Sequence, residues 1–385
     1  MKYVKYVEDV LGLKNAGLKS GRDNILKYLA IKGNPQNRLK IFHVAGTNGK
    51  GSVTNMIYQT LYKEFGFKVG IFISPHLVKI NERIEINGIQ IGDRKLDNYF
   101  GKILEETREF NFSFFEICVL TAIMYFIDQK VDYAVFEVGL GGTYDGTNIF
   151  KNPLAIYITS ISSDHTHILG KSLSSIQKNK MGIIKSGVPV YTPIGNKLMI
   201  EGTKKAGGIL KTIKGKIPTN LNGSHQKRNA GLVYHSLIDF GFDSKKVLNG
   251  LQNIKIRGRV EFIEPNILLD GCHNIGGFRE LKKFLKTLKY NHLITIFATT
   301  KEKNDFESFC NIIDGDIKIL TKSSVYKAKD PDEFEDIISG NKIIIKNPKE
   351  ALKYAKSIKK DGDLIVIYGS LFLVGDILRT LKNKK

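Results

Sequence analysis

Apolar and polar positions change period repeatedly along this chain, and each change marks an element. Short apolar, β-branched runs occur at Leu39–Val44, Lys68–Ile73, Tyr133–Val138 and Leu154–Thr159, about as long as buried strands. Between them, helical spacing predicts helices over Ser52–Phe65, Asp93–Phe110 and Phe114–Gln129. Glu82–Ile91 instead alternates around Asn87-Gly88, the pair that a type I′ hairpin turn favours. The alternation then restarts: strands are predicted at Ile267–Leu269, Leu293–Phe297, Ile317–Leu320, Lys342–Ile345 and Leu364–Tyr368. Gly276–Leu288 is the clearest helix among them. Strands alternating with helices argue for an α/β fold with parallel sheets and right-handed crossovers. The pattern breaks at Ile256–Pro265, which places domains at 1–260 and 261–385; Lys204–Asn222, rich in Gly and Lys, reads as a surface loop.

Composition narrows the class. A chain of 385 residues, 42% hydrophobic and 25% charged, suits two domains with sizeable cores. The longest nearly uncharged apolar stretch, Ile117–Ile127, is short of the roughly 20 residues a bilayer requires. The opening Met1-Lys2-Tyr3-Val4-Lys5, with Glu8 and Asp9 behind it, resembles neither a signal nor a transit peptide. Cys118, Cys272 and Cys310 lie far apart and fit reduced thiols, so a cytoplasmic protein is expected. Fifty-nine basic against 38 acidic residues give a formal charge of +21. The lysines are scattered and no arginine-rich tract occurs, so the charge is either a solvated surface or a field that attracts polyanionic small molecules. Neither a nucleic-acid nor a membrane partner is expected.

The chemistry begins at Gly46-Thr47-Asn48-Gly49-Lys50-Gly51-Ser52, between a predicted strand and a predicted helix. Phosphate binding needs that arrangement: small residues let backbone N–H groups turn inward, and the helix N-terminus adds its positive dipole end. Lys50 can reach β/γ-phosphates, and the Ser52 hydroxyl can ligate Mg²⁺. The spacing departs from GxxxxGK[ST], with Val44 in place of the first Gly and Gly51 inserted before Ser52.

The run His43–Ser52, with Gly33-Asn34-Pro35-Gln36 upstream, resembles the signature of folylpolyglutamate synthase/dihydrofolate synthase, a branch of the Mur ligase superfamily. Further matches follow in that family's order to about residue 376. The resemblance implies a P-loop-type domain with a central parallel sheet and a smaller Rossmann-like C-terminal domain that binds glutamate. It also implies ATP and Mg²⁺, dihydropteroate or folate and L-glutamate as substrates, and a monomer.

It assigns roles to the remaining motifs as well. Ser74-Pro75-His76-Leu77 and Ile80-Asn81-Glu82-Arg83-Ile84 resemble segments that close near the pterin, although His76 also suits an ordinary surface loop. Ser113-Phe114-Phe115-Glu116 would set Phe115 against the pteridine, while Ser113 and Glu116 also spell a capping box. Glu137, ending a buried strand before Gly139, Gly141 and Gly142, suits a metal ligand at the phosphate site on chemical grounds alone. Downstream, Thr143, Tyr144 and Gly146 replace the family's Arg, Leu and Ala. His165 resembles the ligand of a second Mg²⁺. Lys180, within Lys178-Asn179-Lys180-Met181-Gly182, resembles a lysine whose carbamate joins the metal centre; a lysine on a solvated helix is the plainer reading. Asn229 and Arg259 fall in segments tied to adenine and phosphate binding. Asp270 would meet the nucleotide and His273 the incoming glutamate, with Ser370 facing glutamate or capping a helix.

Together these imply an amide ligase working through an acyl phosphate, with Lys50, His273 and Lys180 central to catalysis. Two other readings stay open: a different Mur-type ligase, such as a cell-wall one, and a basic P-loop protein that binds nucleic acid.

Overall fold

The computed structural model describes residues 18–107, 109–301 and 306–382, so the reading of Met1–Lys5 lies outside the described residues. The chain forms two compact units. The first gathers residues up to Ile161, Lys171–Asn220 and Lys227–Ile254; the second gathers Ser162–Gly170, Leu221–Gln226 and the chain from Lys255 onward.

The first unit is built on eight strands: β1 (Ile41–Ala45), β2 (Val69–Phe72), β3 (Ile84–Ile86), β4 (Ile89–Gln90), β5 (Tyr133–Glu137), β6 (Ala155–Ile158), β7 (Pro189–Thr192) and β8 (Ile209–Thr212). Their order is β4-β3-β2-β5-β1-β6-β7-β8, parallel from β2 to β8. The β2–β3 and β3–β4 pairs are antiparallel; Asn87-Gly88 turns the chain from β3 into β4 with φ of 48° and 82°, as a type I′ turn requires. Central β1 and β6 are buried at every position, which is why they read as continuous apolar runs. The helix Phe114–Asp128 is apolar on almost every face because it is covered by the helices Leu18–Ile31 and Asp93–Glu106 and by β2. Gly70 is small for the same reason: a Cβ there would lie 2.7 Å from the Phe126 ring.

In this unit β7 and β8 escape the sequence reading. Lys204–Asn222 is not all loop: β8 lies within it, pairing with β7 along the sheet edge. Its mostly exposed residues carry no apolar run that would mark a strand.

The second unit holds β9 (Glu261–Glu264), β10 (Ile267–Asp270), β11 (Leu293–Phe297), β12 (Ile317–Leu320), β13 (Lys342–Ile344) and β14 (Leu364–Tyr368), in the order β13-β12-β11-β14-β10-β9. All neighbours are parallel except β9 on β10. Helices Ile275–Leu285, Pro348–Ile358 and Leu371–Lys382 accompany this sheet. Among the described residues, no helix is long and apolar enough to cross a membrane.

Candidate functional site

Parallel register aligns the C-terminal ends of three strands in the first unit. Val44 lies opposite Glu137 on β5, and Ala45 opposite Ile158 on β6. The loop leaving β1 is therefore flanked by a carboxylate on one side and by Thr159–Ser160 on the other. The Thr47 amide donates to the Ser160 carbonyl at 2.8 Å, and the Asn48 amide to Ser160 Oγ at 2.9 Å. Gly46 turns with φ of 144°, where a Cβ would lie 2.0 Å from Thr159 Oγ1; Gly49 turns with φ of 88° against the Asn229 amide. Both positions require glycine. The helix Lys50–Phe65 starts immediately after, placing its N-terminus at the loop. Lys50 Nζ donates back to the Thr47 carbonyl at 3.1 Å, so the ammonium stays over the loop.

Ser52 is buried on the first turn of that helix and Glu137 is buried at the end of β5. A Cβ added to Gly51 would sit 3.6 Å from the Glu137 carboxylate, so a side chain there would crowd the space between helix and strand. Among the described residues, no three His, Cys, Asp or Glu side chains cluster as a complete metal cage. Mg²⁺ does not need one, since it keeps waters and substrate phosphates as ligands, and a hydroxyl with a carboxylate is the hard oxygen pair it prefers. The residues fit the ion.

Glu137 also accepts from the Ser74 amide at 3.2 Å, which ties the Ser74–Leu77 loop to the same strand end. The Ser74–Pro75 peptide is cis. Glu82 accepts from the amides of Leu77 and Lys79 at 2.7 and 3.1 Å, and Arg83 Nε donates to His76 Nδ1 at 3.0 Å. His76 therefore stands in a braced loop. Phe115 covers Gly139, whose Cβ would meet its ring at 2.5 Å. The adjoining capping box is present: Glu116 accepts from the Ser113 amide at 2.6 Å. Capping thus accounts for Ser113 and Glu116, while Phe115 packs over the glycine loop.

Lys180 is not on a solvated face. It is buried, and its Nζ donates to the Gly46 carbonyl at 2.9 Å, within the phosphate loop itself. The family departures around it have local explanations. Met181 packs over Gly202, where a Cβ would meet its methyl at 2.3 Å. Thr143 donates from N and Oγ1 to the Asn179 carbonyl at 2.9 and 3.0 Å, and Gly182 makes room for it. Arg22, from the first helix, donates to the Thr143 carbonyl at 2.7 Å and lies over the Tyr144 ring. The loop without its usual arginine is thus still held.

In the second unit, Asp164 is a hub that sequence reasoning passed over. Its buried carboxylate accepts from the His165 amide at 3.0 Å and from Asn274 Nδ2 at 2.9 Å, with His273 Nε2 at 3.5 Å and His165 Nε2 at 3.7 Å. Its signal was adjacency to His165 alone. His273 Nδ1 also faces the Gly271 carbonyl at 3.0 Å, so the ring is held from two sides. His165 itself has φ of 48° and opens the short helix Thr166–Leu169. It belongs to this unit, whereas Ser52, Glu137, Lys180 and Asn229 belong to the first. Asp270 accepts from the amides of Val260 and Cys272, both at 2.8 Å, and so braces the turn that carries half-buried Arg259. Burial, the neighbouring Asp270 carboxylate and a hydrogen bond to it push the Cys272 thiol well up, leaving it inert. Ser370 Oγ accepts from the Phe372 amide at 3.1 Å, the helix-capping role.

The Mur ligase middle domain model matches residues 44–197, and that of the Mur ligase glutamate ligase domain matches residues 258–371. The dihydrofolate synthase/folylpolyglutamate synthase of Bacillus subtilis is 30% identical, with 95% of this chain and 96% of that protein aligned. The dihydrofolate synthetase of Saccharomyces cerevisiae is also 30% identical, over 94% of this chain and 98% of its own. The structure of E. coli FolC in complex with DHPP and ADP superposes over 100% of both chains with a TM-score of 0.90 at 22% identity, a likeness of fold. This chain belongs to the folylpolyglutamate synthase/dihydrofolate synthase family of Mur ligases.

Proposed function

We propose that this chain is an ATP- and Mg²⁺-dependent ligase that joins L-glutamate to a folate-type carboxylate and releases ADP and phosphate. The observation that carries the reading is the meeting of the Gly46–Ser52 loop, Glu137 and Thr159–Ser160 at aligned strand ends in a member of this family. A bare carboxylate is a poor acyl donor. Transfer of the γ-phosphoryl group to it gives an acyl phosphate, which the glutamate amine attacks through a tetrahedral intermediate that expels phosphate.

Loop amides and Lys50 bind the β/γ-phosphates and stabilise charge developing there. Ser52 and Glu137 would hold a magnesium ion, His165 would serve a second, and a carbamate of Lys180 would belong to the metal centre; such ions supply positive charge to the phosphoryl oxygens. Ser74, Pro75, His76 and Phe115 contact the pterin side of the acceptor. Asn229, Arg259 and Asp270 serve the nucleotide, and His273 and Ser370 the incoming glutamate. On this reading residues 1–260 bind ATP and the folate-type acid, and 261–385 bind glutamate.

The +21 charge then serves ATP and acidic acceptors rather than nucleic acid. One chain supplies every residue invoked, so a monomer suffices, and the buried free thiols of Cys118, Cys272 and Cys310 accord with a reducing cytosol. ADP release with dihydropteroate and with tetrahydrofolate, each with and without L-glutamate, tests the reading and assigns the acceptor. Stimulation by at least one acceptor supports it. A rate indifferent to both acceptors, and to glutamate, overturns it.

A further inference from the structure

Arg83 is only 8% exposed, yet among the described residues its guanidinium has no carboxylate within ion-pair distance. Its one hydrogen bond runs from Nε to His76 Nδ1 at 3.0 Å, and its guanidinium carbon lies 5.0 Å from the Phe114 ring centroid. The Nη groups, which carry the rest of its donors, have no acceptor among the described residues. Burial pushes this guanidinium below its ordinary value, against the opposing fields of Cys118, Glu137 and Glu82. A buried arginine is ordinarily paired, because an uncompensated buried charge is strongly destabilising.

The surroundings are rigid. Glu82, the preceding residue, pins the amides of Leu77 and Lys79, and Glu137 pins Ser74. His76 must accept at Nδ1, because Arg83 can only donate, so its ring proton is on Nε2. The Phe114 face lies against the guanidinium, and the fork of Nη donors is suited to a planar anion. The Glu137 carboxylate whose field reaches Arg83 is the one beside the phosphate loop.

We propose that Arg83 binds the carboxylate of the folate-type acceptor, the group the reaction activates. This rests on the ligase reading above. An ATP phosphate is the other anion such a cation could receive, and the test separates the two.

The test is equilibrium binding of pteroate and of its methyl ester to the full chain, with ADP and Mg²⁺ present, for wild type, Arg83→Met and Arg83→Lys. The wild type binds the acid about 10-fold or more tighter than the ester, the scale of a charge-assisted pair. Arg83→Met abolishes that preference by weakening the acid alone, and Arg83→Lys gives an intermediate preference. Should Arg83→Met fail to fold by circular dichroism, Arg83→Lys decides by the same comparison. Equal weakening of acid and ester makes Arg83 a packing residue and overturns the proposal, as does a preference retained by the variants. A loss of ADP affinity with the acid unaffected assigns Arg83 to phosphate and also overturns it. A wild type that binds neither pteroate nor its ester removes the ligase reading itself, and the proposal with it.

Discussion

Lys50 and Lys180 are both lysines at one glycine loop, and their surroundings separate their tasks. Lys50 lies half-buried across the loop and donates to the Thr47 carbonyl, a weak tether that a phosphate can outbid. Lys50→Ala is expected to leave the fold intact and reduce ADP formation by about 10²-fold or more, the scale for removing one electrostatic donor; steady-state kinetics beside circular dichroism check it. Lys180 is buried under the loop with its amine on the Gly46 carbonyl. A carbamate there would turn a cation into an anion beside a bound metal ion, and its formation needs a neutral amine. Lys180→Ala is then expected to be nearly inactive and partly restored by short carboxylic acids. Activity that survives the substitution, or that no acid restores, removes the carbamate. The phosphate loop stood out because glycines, lysine and serine sit between an apolar run and a helical pattern, whereas Lys180 was singled out only by resemblance. Asp164 and Arg83 were not assigned roles, since their significance lies in contacts with residues that only folding brings near.

Strands carried the clearest signals where they are buried on both faces, as in β1, β5 and β6, and the faintest at the sheet edge, as in β8. Asn87-Gly88 disclosed its hairpin because few residues accept positive φ in succession. Within β1, His43 is buried, with Nε2 on Thr147 Oγ1 at 2.9 Å. Burial, with the Lys185 charge adding to it, pulls this imidazole down to about 3. The unfolded chain binds a proton near pH 6.5 and the folded chain does not, so stability is full above that value. It is lost progressively as pH falls from about 6.5 towards about 3. His43→Gln, which keeps a polar partner for Thr147 and does not titrate, is expected to show a shallower decline of denaturant midpoint between pH 6.5 and 4 than the wild type. Parallel curves would place the acid sensitivity elsewhere.

At the level of the whole molecule, two α/β units and their class were readable because strand–helix alternation stops and restarts near Ile256–Pro265. The excursions of Ser162–Gly170 and Leu221–Gln226 into the second unit were not, since no local pattern records which unit a loop joins. The division of labour has its own test. Glu137→Gln is expected to raise the Mg²⁺ requirement much more than the KM for glutamate, whereas His273→Ala raises the glutamate KM with little change in Mg²⁺ dependence. Identical behaviour of the two variants would contradict separate roles for the units. The central claim is that phosphoryl transfer is spent on an amide bond, and it is tested most directly by quantifying ADP and pterin products together by mass spectrometry. The account predicts one glutamyl unit added to the acceptor for each ADP formed, with neither product when L-glutamate is withheld. ADP accumulating without a glutamylated acceptor would contradict it.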